Sequence, residues 1–356
     1  MDDYKKELEE LLLTVAKEQA SDLHLSVGRH PTLRIAGVLT PLAKKPVLTP
    51  ADTEGLVMAM LSTESQKKFR VQHEVDFSYT FADQARFRVN IFYQRGFVGA
   101  ALRLIPARIK NLQELLLPDV LADFARREQG FFLVVGPTGH GKSTSLAAMV
   151  DIINHERAEH IITIEDPIEY FFVQDKSIID QRAVGFDTAD FRTALRSMFR
   201  EDVNVAMVGE MRDRETVAAA VTAAETGHLV FSSLHTNNAA QTIDRIIDSF
   251  SAEQQNQIRL QLANTLLGIF SQRLVPRVSG GLLPAYELLI ANTAVRNLIR
   301  ENKVHEINLV IETSSEEGMI SLNQTLVDLV RQGEITMEAA TAHSFNPHEL
   351  QTLLRG

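Results

Sequence analysis

A glycine-rich segment, GPTGHGKS, occupies residues 136–143 and fits the pattern G-x-x-x-x-G-K-[ST] in full. An apolar run at residues 131–135, predicted as a buried strand, leads into it, and a helical pattern begins at Lys142. Small residues in such a turn let backbone N–H groups converge on phosphate oxygens, and the start of the helix adds partial positive charge. The Lys142 ammonium would lie between the β- and γ-phosphates. The pattern therefore predicts a nucleoside triphosphate site.

The same motif predicts which residues line the phosphate site. The Ser143 hydroxyl is the expected Mg²⁺ ligand. The ring of His140 is expected to be an exposed side chain that the loop tolerates, rather than a ligand. No guanine-specific N-K-x-D stretch occurs, although the motif alone does not distinguish ATP from GTP. The predicted nucleotide-binding residues are Gly136, Pro137, Thr138, Gly139, His140, Gly141, Lys142, Ser143 and Thr144.

Two other segments, IITIEDPIEY and VNVAMVGEMRD, place carboxylates directly after apolar strands. Hydrolysis needs one carboxylate to polarise the attacking water and another to hold Mg²⁺ through its water shell. Such groups lie just beyond the carboxyl ends of parallel strands. We therefore predict catalytic roles for Glu169 and Glu210, with Glu210 also at the metal site. Asp213 is expected to cap the helix that follows it, and capping remains an alternative for all these acids.

Two histidines stand at the two ends of an apolar strand in the segment TGHLVFSSLHTNN. His235 follows the carboxyl end, at the same edge as the phosphate loop, so it can sense the γ-phosphate. His228 precedes the strand. A zinc site is not expected, because no third ligand stands nearby. A purely structural hydrogen bond remains an alternative for His235 and, more strongly, for His228.

The composition is that of a soluble protein. The 356 residues suffice for two domains, and 45% hydrophobic with 23% charged residues is an ordinary globular balance. No apolar run is long enough to span a membrane, and the polar start MDDYKKELEE argues against a secretory signal. The absence of cysteine excludes disulfides and fits a cytoplasmic location. The net charge of −10 argues against a nucleic-acid partner.

The first third of the chain predicts a small α+β domain. Helical patterns cover residues 3–19 and 50–69, and short strands are predicted on both sides of residues 28–31. Three longer segments then alternate apolar and polar residues and are joined by ADQ and QRG, which is typical of an antiparallel meander. These segments are EVDFSYTF, ARFRVNIFY and FVGAALRLI.

After this meander, strands alternate with helices, which is typical of a parallel sheet with helical crossovers. The predicted strands are residues 131–135, 160–164, 203–208 and 229–233, and the predicted helices are residues 142–155, 188–200 and 214–225. Beyond residue 238 the chain is mostly helical, with one strand at residues 282–290. The predicted organisation is an N-terminal domain at residues 1–105, a linker at 106–112 and a nucleotide-binding domain at 113–356.

Four blocks occur in order: GPTGHGKST, IEDPIEY, VGEMRD and TGHLVFSSLHTNNA. Together they resemble the Walker A, Asp box, Walker B and His box of the secretion-type motor ATPases. The segments ASDLHLS, ARFRVNIFYQRG and AVRNLIRENKV are similar to those of the type IV pilus retraction ATPases, the PilT group. TLVDLVRQGEIT also resembles the PilU group, the accessory retraction paralogues.

The resemblance implies an α/β fold: a small PAS-like α+β N-terminal domain, then a RecA-like P-loop NTPase domain with a helical C-terminal part. It implies that Glu169 is the water-activating base, that Glu210 is the Walker B acid near Mg²⁺, and that His228 and His235 form the His box. Arginines of the last N-terminal strands would reach the nucleotide, as an arginine finger does. The candidates are Arg86, Arg88 and Arg103, of which the first two share a strand face.

The resemblance also implies the biological role. The implied protein is a cytoplasmic homo-hexamer that is peripheral at the inner membrane. It would hydrolyse ATP with Mg²⁺ to power pilus retraction and twitching motility. Its partners would be the inner-membrane platform protein and, as a further candidate, a retraction ATPase paralogue. AVRNLIREN is similar to the retraction motif and predicts a helix with Val295, Leu298 and Ile299 on one face. The chain departs from the family pattern at His140, and it lacks the Asp-Pro-Asp before the Walker B strand.

Three alternatives remain open from the sequence. A motor for pilus assembly or type II secretion usually has a longer N-terminal region and a four-cysteine metal segment, whereas this chain has no cysteine. A RecA-like nucleic-acid motor would need a basic surface with interspersed aromatic residues. A non-hydrolysing ATP switch would not need the carboxylates described above.

Overall fold

The computed structural model describes residues 2–35, 37–81, 85–105 and 108–355. The chain forms two compact units, Met1–Arg108 with Pro167–Phe171, and Ile109–Asp166 with Phe172–Gly356. The division falls in the predicted linker 106–112, of which Pro106 and Ala107 lie outside the described residues, as does the predicted turn ADQ. Pro167–Phe171 lies within the predicted nucleotide-binding domain 113–356, but in the structure this segment groups with the first unit.

Three helices pack in the first unit: α1 (Asp2–Lys17), α2 (Pro50–Met60) and α3 (Thr63–Gln72). Leu8, Leu11, Leu12 and Val15 form the buried face of α1. The single helix predicted over residues 50–69 is instead two, because the backbone is extended at Leu61 and the Ser62 side chain caps α3 by accepting a hydrogen bond from the Ser65 N–H at 3.1 Å. A serine that competes for backbone donors favours a new helix start over a continuous helix.

The sheet of the first unit is antiparallel, with strand order β3-β2-β1-β6-β5-β4. Its meander, β4 to β6, has the predicted positions, whereas β3 was not predicted. On β5 the residues Phe87, Val89 and Ile91 are buried and the intervening side chains lie on the opposite face. The strands are β1 (Asp22–Leu25), β2 (Thr32–Ile35), β3 (Val38–Pro41), β4 (Glu74–Phe81), β5 (Ala85–Gln94) and β6 (Phe97–Ile105).

The second unit contains a mostly parallel sheet with strand order β13-β12-β7-β11-β10-β8-β9, in which only the pair β12–β13 is antiparallel among the described strands. The four predicted parallel strands and the strand near residues 282–290 are confirmed, whereas β9 and β12 were not predicted. The strands are β7 (Gly130–Val135), β8 (His160–Glu165), β9 (Ile178–Ala183), β10 (Val205–Val208), β11 (Leu229–Leu234), β12 (Leu266–Pro276) and β13 (Leu282–Ile290).

Helices cover both faces of this sheet. Strand β7 shows this directly, because Phe131, Leu133 and Val135 enter one apolar core while Phe132 and Val134 enter another. The helices are α4 (Val120–Ala125), α5 (Lys142–Glu156), α6 (Phe191–Met198), α7 (Arg214–Glu225), α8 (Ala239–Asp248), α9 (Ala252–Thr265), α10 (Thr293–Arg300), α11 (Ile307–Thr313), α12 (Leu322–Arg331), α13 (Met337–His343) and α14 (Pro347–Arg355). Across the described ranges, no helix combines the length and apolar character needed to cross a membrane. The fold is therefore a mixed α/β fold.

Candidate active site

The glycine-rich loop joins the carboxyl end of β7 to the first turn of α5, as the motif predicts. Gly139 and Gly141 have φ angles of +80° and +81°, a left-handed conformation that favours glycine. Gly141 is the N-cap of α5 and has no side chain to occupy the first backbone N–H groups. These N–H groups therefore face outward at a helix N-terminus, the arrangement that binds phosphate.

Lys142 lies inside the loop. Its side chain is largely buried, and its Nζ donates a hydrogen bond to the Pro137 carbonyl at 2.9 Å. The same Nζ is 3.3 Å from Nδ1 of His235, and the Thr138 hydroxyl is also 3.3 Å from that ring nitrogen. Because an ammonium group has only donors, Nδ1 of His235 acts as an acceptor toward it. His235 is thus in direct contact with the phosphate loop.

Glu210 extends this chain of contacts. Its Oε2 accepts a hydrogen bond from Nε2 of His235 at 3.1 Å, and its Oε1 pairs with the Arg212 guanidinium. Arg212 also lies 3.7 Å from a carboxylate oxygen of Asp166. Lys142, His235 and Glu210 therefore form one continuous polar network at the carboxyl edge of the sheet, as the strand-end argument predicted.

The residues present fit a magnesium–nucleotide complex. Ser143 lies in the first turn of α5, and Glu210 supplies a carboxylate near the same sheet edge. Hydroxyl and carboxylate oxygens are the hard ligands that Mg²⁺ takes, together with phosphate oxygens and water. Within the described ranges, no three His, Asp or Glu side chains are arranged as a metal cage. Mg²⁺ would therefore be held by Ser143, by Glu210 through water and by the phosphates.

The acids of the segment IITIEDPIEY differ in burial and in the unit to which they belong. Glu165, the last residue of β8, is buried and accepts a hydrogen bond from the Thr163 hydroxyl at 2.8 Å. Glu169 is exposed and belongs to the segment that groups with the first unit. Its role as the water-activating base stays a prediction. Asp213 caps α7 as expected, because its side chain accepts a hydrogen bond from the Thr216 N–H at 2.8 Å.

His228 is not brought to this edge. It precedes the amino end of β11, opposite the end that carries His235. Its Nδ1 is 3.0 Å from the Ala223 carbonyl near the end of α7, and its ring meets Phe199 edge-on at 5.4 Å. This geometry supports the structural hydrogen bond that the sequence left open, and a catalytic role for His228 stays a prediction.

The three predicted arginines share one face of the first unit's sheet. Arg88 and Arg103 are register partners on β5 and β6, and Arg86 lies two residues from Arg88. Arg103 donates to Asp22 at 2.8 Å, and the Arg86 guanidinium stacks over the Phe171 ring, 3.3 Å from its centroid. The last contact lies within the first unit and ties the segment that carries Glu169 to β5. Action of these arginines on nucleotide stays a prediction.

Strand β12 supports the loop and was missed by the sequence analysis. Gln272 on this strand is buried and accepts a hydrogen bond from the Ser145 hydroxyl at 2.6 Å. His140 is half-buried and its Nδ1 accepts a hydrogen bond from the Leu274 N–H at 2.9 Å. The prediction of an exposed, merely tolerated His140 ring was therefore wrong, because the ring fastens the loop to β12. The sequence signal was the apolar run LLGIFSQRLVP, in which Gly268 interrupts the helical pattern of the preceding residues.

A family model for the type II/IV secretion system proteins matches residues 3–349. The chain belongs to this family. The type IV pilus retraction ATPase PilT of Pseudomonas aeruginosa is 43% identical over 334 residues, which cover 94% of this chain and 97% of the relative. The type IV pilus ATPase PilU of the same organism is 40% identical over 350 residues, covering 98% and 91% of the two chains.

A solved structure agrees with these relatives. The crystal structure of the pilus retraction motor PilT with bound ADP superposes with a TM-score of 0.91 at 49% identity and covers 97% of this chain and 98% of that one. Within the family, the chain is thus a PilT/PilU-type pilus ATPase and an ATP hydrolase. The identities of 43% and 40% are too close to separate the PilT from the PilU group.

The segment AVRNLIREN, which resembles the retraction motif, lies largely in α10. Val295 and Ile299 are fully buried and Leu298 packs against the same core, as predicted. Arg296 donates hydrogen bonds to backbone carbonyls at the end of α9 and the start of β12. The first arginine of the motif therefore fixes the junction that leads into the strand under the phosphate loop.

A buried acid, Glu287 on β13, accepts a hydrogen bond from the Ala239 N–H at the start of α8, at 2.7 Å. Burial, partly offset by this hydrogen bond, raises its pKa to about 7. A carboxyl group with a raised pKa contributes stability at low pH that is lost as pH rises through about 7.

We expect the variant Glu287→Gln to remove this loss, because an amide keeps an acceptor for the Ala239 N–H without a charge. Its free energy of unfolding relative to wild type should rise by up to about 3 kcal/mol between pH 4.5 and 8. Urea unfolding at several pH values measures the difference. Parallel stability curves for the two proteins would show that Glu287 has the same pKa in the folded and unfolded states, which would contradict this prediction.

Proposed function

We propose that this protein is a homo-hexameric motor that hydrolyses ATP to power type IV pilus retraction. The observation that carries the proposal is the network from Lys142 through His235 to Glu210 at the mouth of the phosphate loop. It links a phosphate-binding group to a metal-site acid, as a hydrolase requires. The 43% identity to a protein described as a retraction ATPase supports retraction as the use of that hydrolysis.

The chemistry we assign uses this chain's own groups. Backbone N–H groups at the start of α5 and the Lys142 ammonium bind the β- and γ-phosphates, and Ser143 with Glu210 orients Mg²⁺. Mg²⁺ would supply charge neutralisation at the phosphates. Glu169 takes the proton of the attacking water. Arg86, Arg88 and Arg103 stabilise transition-state charge, and His235 couples the γ-phosphate state to Glu210.

The finer architecture belongs to the same proposal. We assign the first unit to a PAS-like fold and the second to a RecA-like fold with a helical C-terminal part. The hexamer would act at the cytoplasmic side of the inner membrane on the platform protein, with a retraction ATPase paralogue as a further candidate partner. Nucleic acid is not among the proposed partners. The 40% identity to a PilU protein makes the accessory paralogue the second candidate.

Deletion in the piliated host tests retraction against the alternatives. Loss of a retraction motor should give hyperpiliated cells that do not twitch, restored by the wild-type gene but not by Lys142→Ala. Bald cells would instead identify an assembly motor. Cells that still retract, but with reduced force, would favour the accessory paralogue. Mass photometry of the purified protein with ATP tests the hexamer independently.

A further inference from the structure

Strand β12 runs on past the end of its neighbour β7. The parallel ladder between them ends at the pair Ser271 and Val135, and β7 then turns into the phosphate loop. From Gln272 onward, the side of β12 that β7 had covered faces that loop. The backbone groups of β12 on this side must therefore find partners in the loop rather than in a strand.

Gln272 makes the first of these contacts. Gly136 lies so close to β12 that a Cβ atom on it would stand 2.3 Å from the Gln272 carbonyl oxygen. A Cβ on Gly141 would stand 2.8 Å from Nε2 of the same glutamine. The Gln272 backbone carbonyl therefore lies against Gly136 and the Gln272 side chain against Gly141, and the hydrogen bond from Ser145 fixes that side chain in place.

His140 makes the second contact, two residues further along the strand. Residues 272 and 274 have the same orientation on a strand, so the Leu274 N–H points toward the loop. The Nδ1 atom of His140 accepts this N–H at 2.9 Å. A neutral imidazole can accept at Nδ1, but an imidazolium has only donors. The bond therefore exists only while His140 is unprotonated.

We propose that His140 is a positioning residue of the phosphate loop, which sets nucleotide affinity by fastening the loop to the Leu274 N–H and loses this action when the ring is protonated. Gln272 is the fixed support beside it. The proposal rests on nucleotide binding at this loop and is independent of pilus retraction. It concerns the residue at which this chain departs from the motif's usual small side chain.

The surroundings of His140 set the direction of the effect. Burial, followed by the positive charges of Arg273 on β12, His343 on α13 and Lys142 on α5, lowers the pKa of His140 below its usual value of 6.5. The anchored form is therefore the form present at neutral pH. The affinity for nucleotide should be at its highest above pH 6.5 and should fall as the pH drops below this value.

Binding of ADP, measured by isothermal titration calorimetry from pH 5 to 8, tests the proposal. Asparagine can place an oxygen near the position of Nδ1 and does not titrate, so His140→Asn should bind ADP within about twofold of wild type at pH 8. His140→Leu has no acceptor and should bind about 5- to 10-fold more weakly at pH 8. Its KM for ATP should rise more than its kcat falls.

The pH profile separates positioning from other roles, because comparison with His140→Asn cancels the titration of ADP itself. We expect the ratio of the wild-type to the His140→Asn dissociation constant to rise as pH falls. The variant His305→Asn, at an exposed histidine, is the control and should follow wild type throughout. Thermal unfolding of each variant at pH 5 and 8 verifies folding.

Two results would overturn the proposal. Wild-type affinity of His140→Leu at pH 8 would show that the anchor does not set loop geometry. A wild-type affinity that strengthens relative to His140→Asn at low pH would show that the imidazolium attracts phosphate directly. Loss of ADP binding in wild type at every pH would instead refute the nucleotide site itself.

Discussion

Replacing Glu169 with glutamine is expected to reduce ATP turnover by about 10²- to 10⁴-fold, the usual contribution of a general base. Glutamine keeps the size and hydrogen-bonding capacity of the side chain but cannot take the proton of the attacking water. Affinity for ATP should stay within a few fold of wild type, because Lys142 and the backbone of the phosphate loop are unchanged. Phosphate release and equilibrium binding of ATP measure the two quantities.

The matched control is Asp175→Asn, which neutralises an exposed carboxylate a few residues later in the chain. Its turnover should equal that of wild type. If Glu169→Gln hydrolyses ATP at the wild-type rate, Glu169 is not the base. The same substitution at Glu210 would then become the decisive variant, since Glu210 is the acid that the structure joins to the phosphate loop.

Replacing Lys142 with alanine is expected to have the second large effect, at the level of binding as well as turnover. The ammonium is the one side-chain charge that the loop itself carries, apart from a protonated His140. Its removal takes away a charge-assisted contact to the phosphates and should lower kcat/KM by at least about 10²-fold. ATP affinity should fall with it, which distinguishes Lys142 from Glu169.

Lys176→Ala, at an exposed lysine of the same unit, is the control and should leave kcat/KM unchanged. The Lys142 ammonium also donates to the Pro137 carbonyl, so thermal unfolding must confirm that Lys142→Ala remains folded. A folded Lys142→Ala protein with wild-type affinity for ATP would mean that phosphate binds elsewhere.

Elements with a strong local pattern were predictable from the sequence. The meander strands β4 to β6 alternate cleanly, and the buried runs of β7, β8, β10 and β11 are each followed by a polar segment. The same pattern located Lys142, His235 and Glu210 at one sheet edge, because parallel strands end on the same side. Regular alternation and topology thus suffice for the core of the candidate site.

What escaped prediction depends on tertiary contacts. Strand β12 follows α9 directly, and Gly268 alone does not exclude a longer helix through the LLGIFSQRLVP run. It becomes a strand because β7 and β13 offer it partners on both sides. Gln272 and the anchoring of His140 depend on β12 and were therefore invisible in the sequence.

The grouping of the Glu169 segment with the first unit has the same origin. Pro167 breaks the strand pattern, but no periodicity tells which unit the next residues join. The Arg86 guanidinium over the Phe171 ring is a contact between residues 85 positions apart in the chain. Such non-local contacts leave no mark in local spacing.

A crystal structure with a non-hydrolysable ATP analogue and Mg²⁺ tests the central claim most directly. The account predicts the β-phosphate against the backbone N–H groups of residues 139–143 and the Lys142 ammonium moved from the Pro137 carbonyl onto phosphate oxygens. It also predicts Mg²⁺ on the Ser143 hydroxyl and Glu210 facing the metal's water shell. An empty loop, with the analogue bound elsewhere or Glu210 turned away from it, would contradict the account.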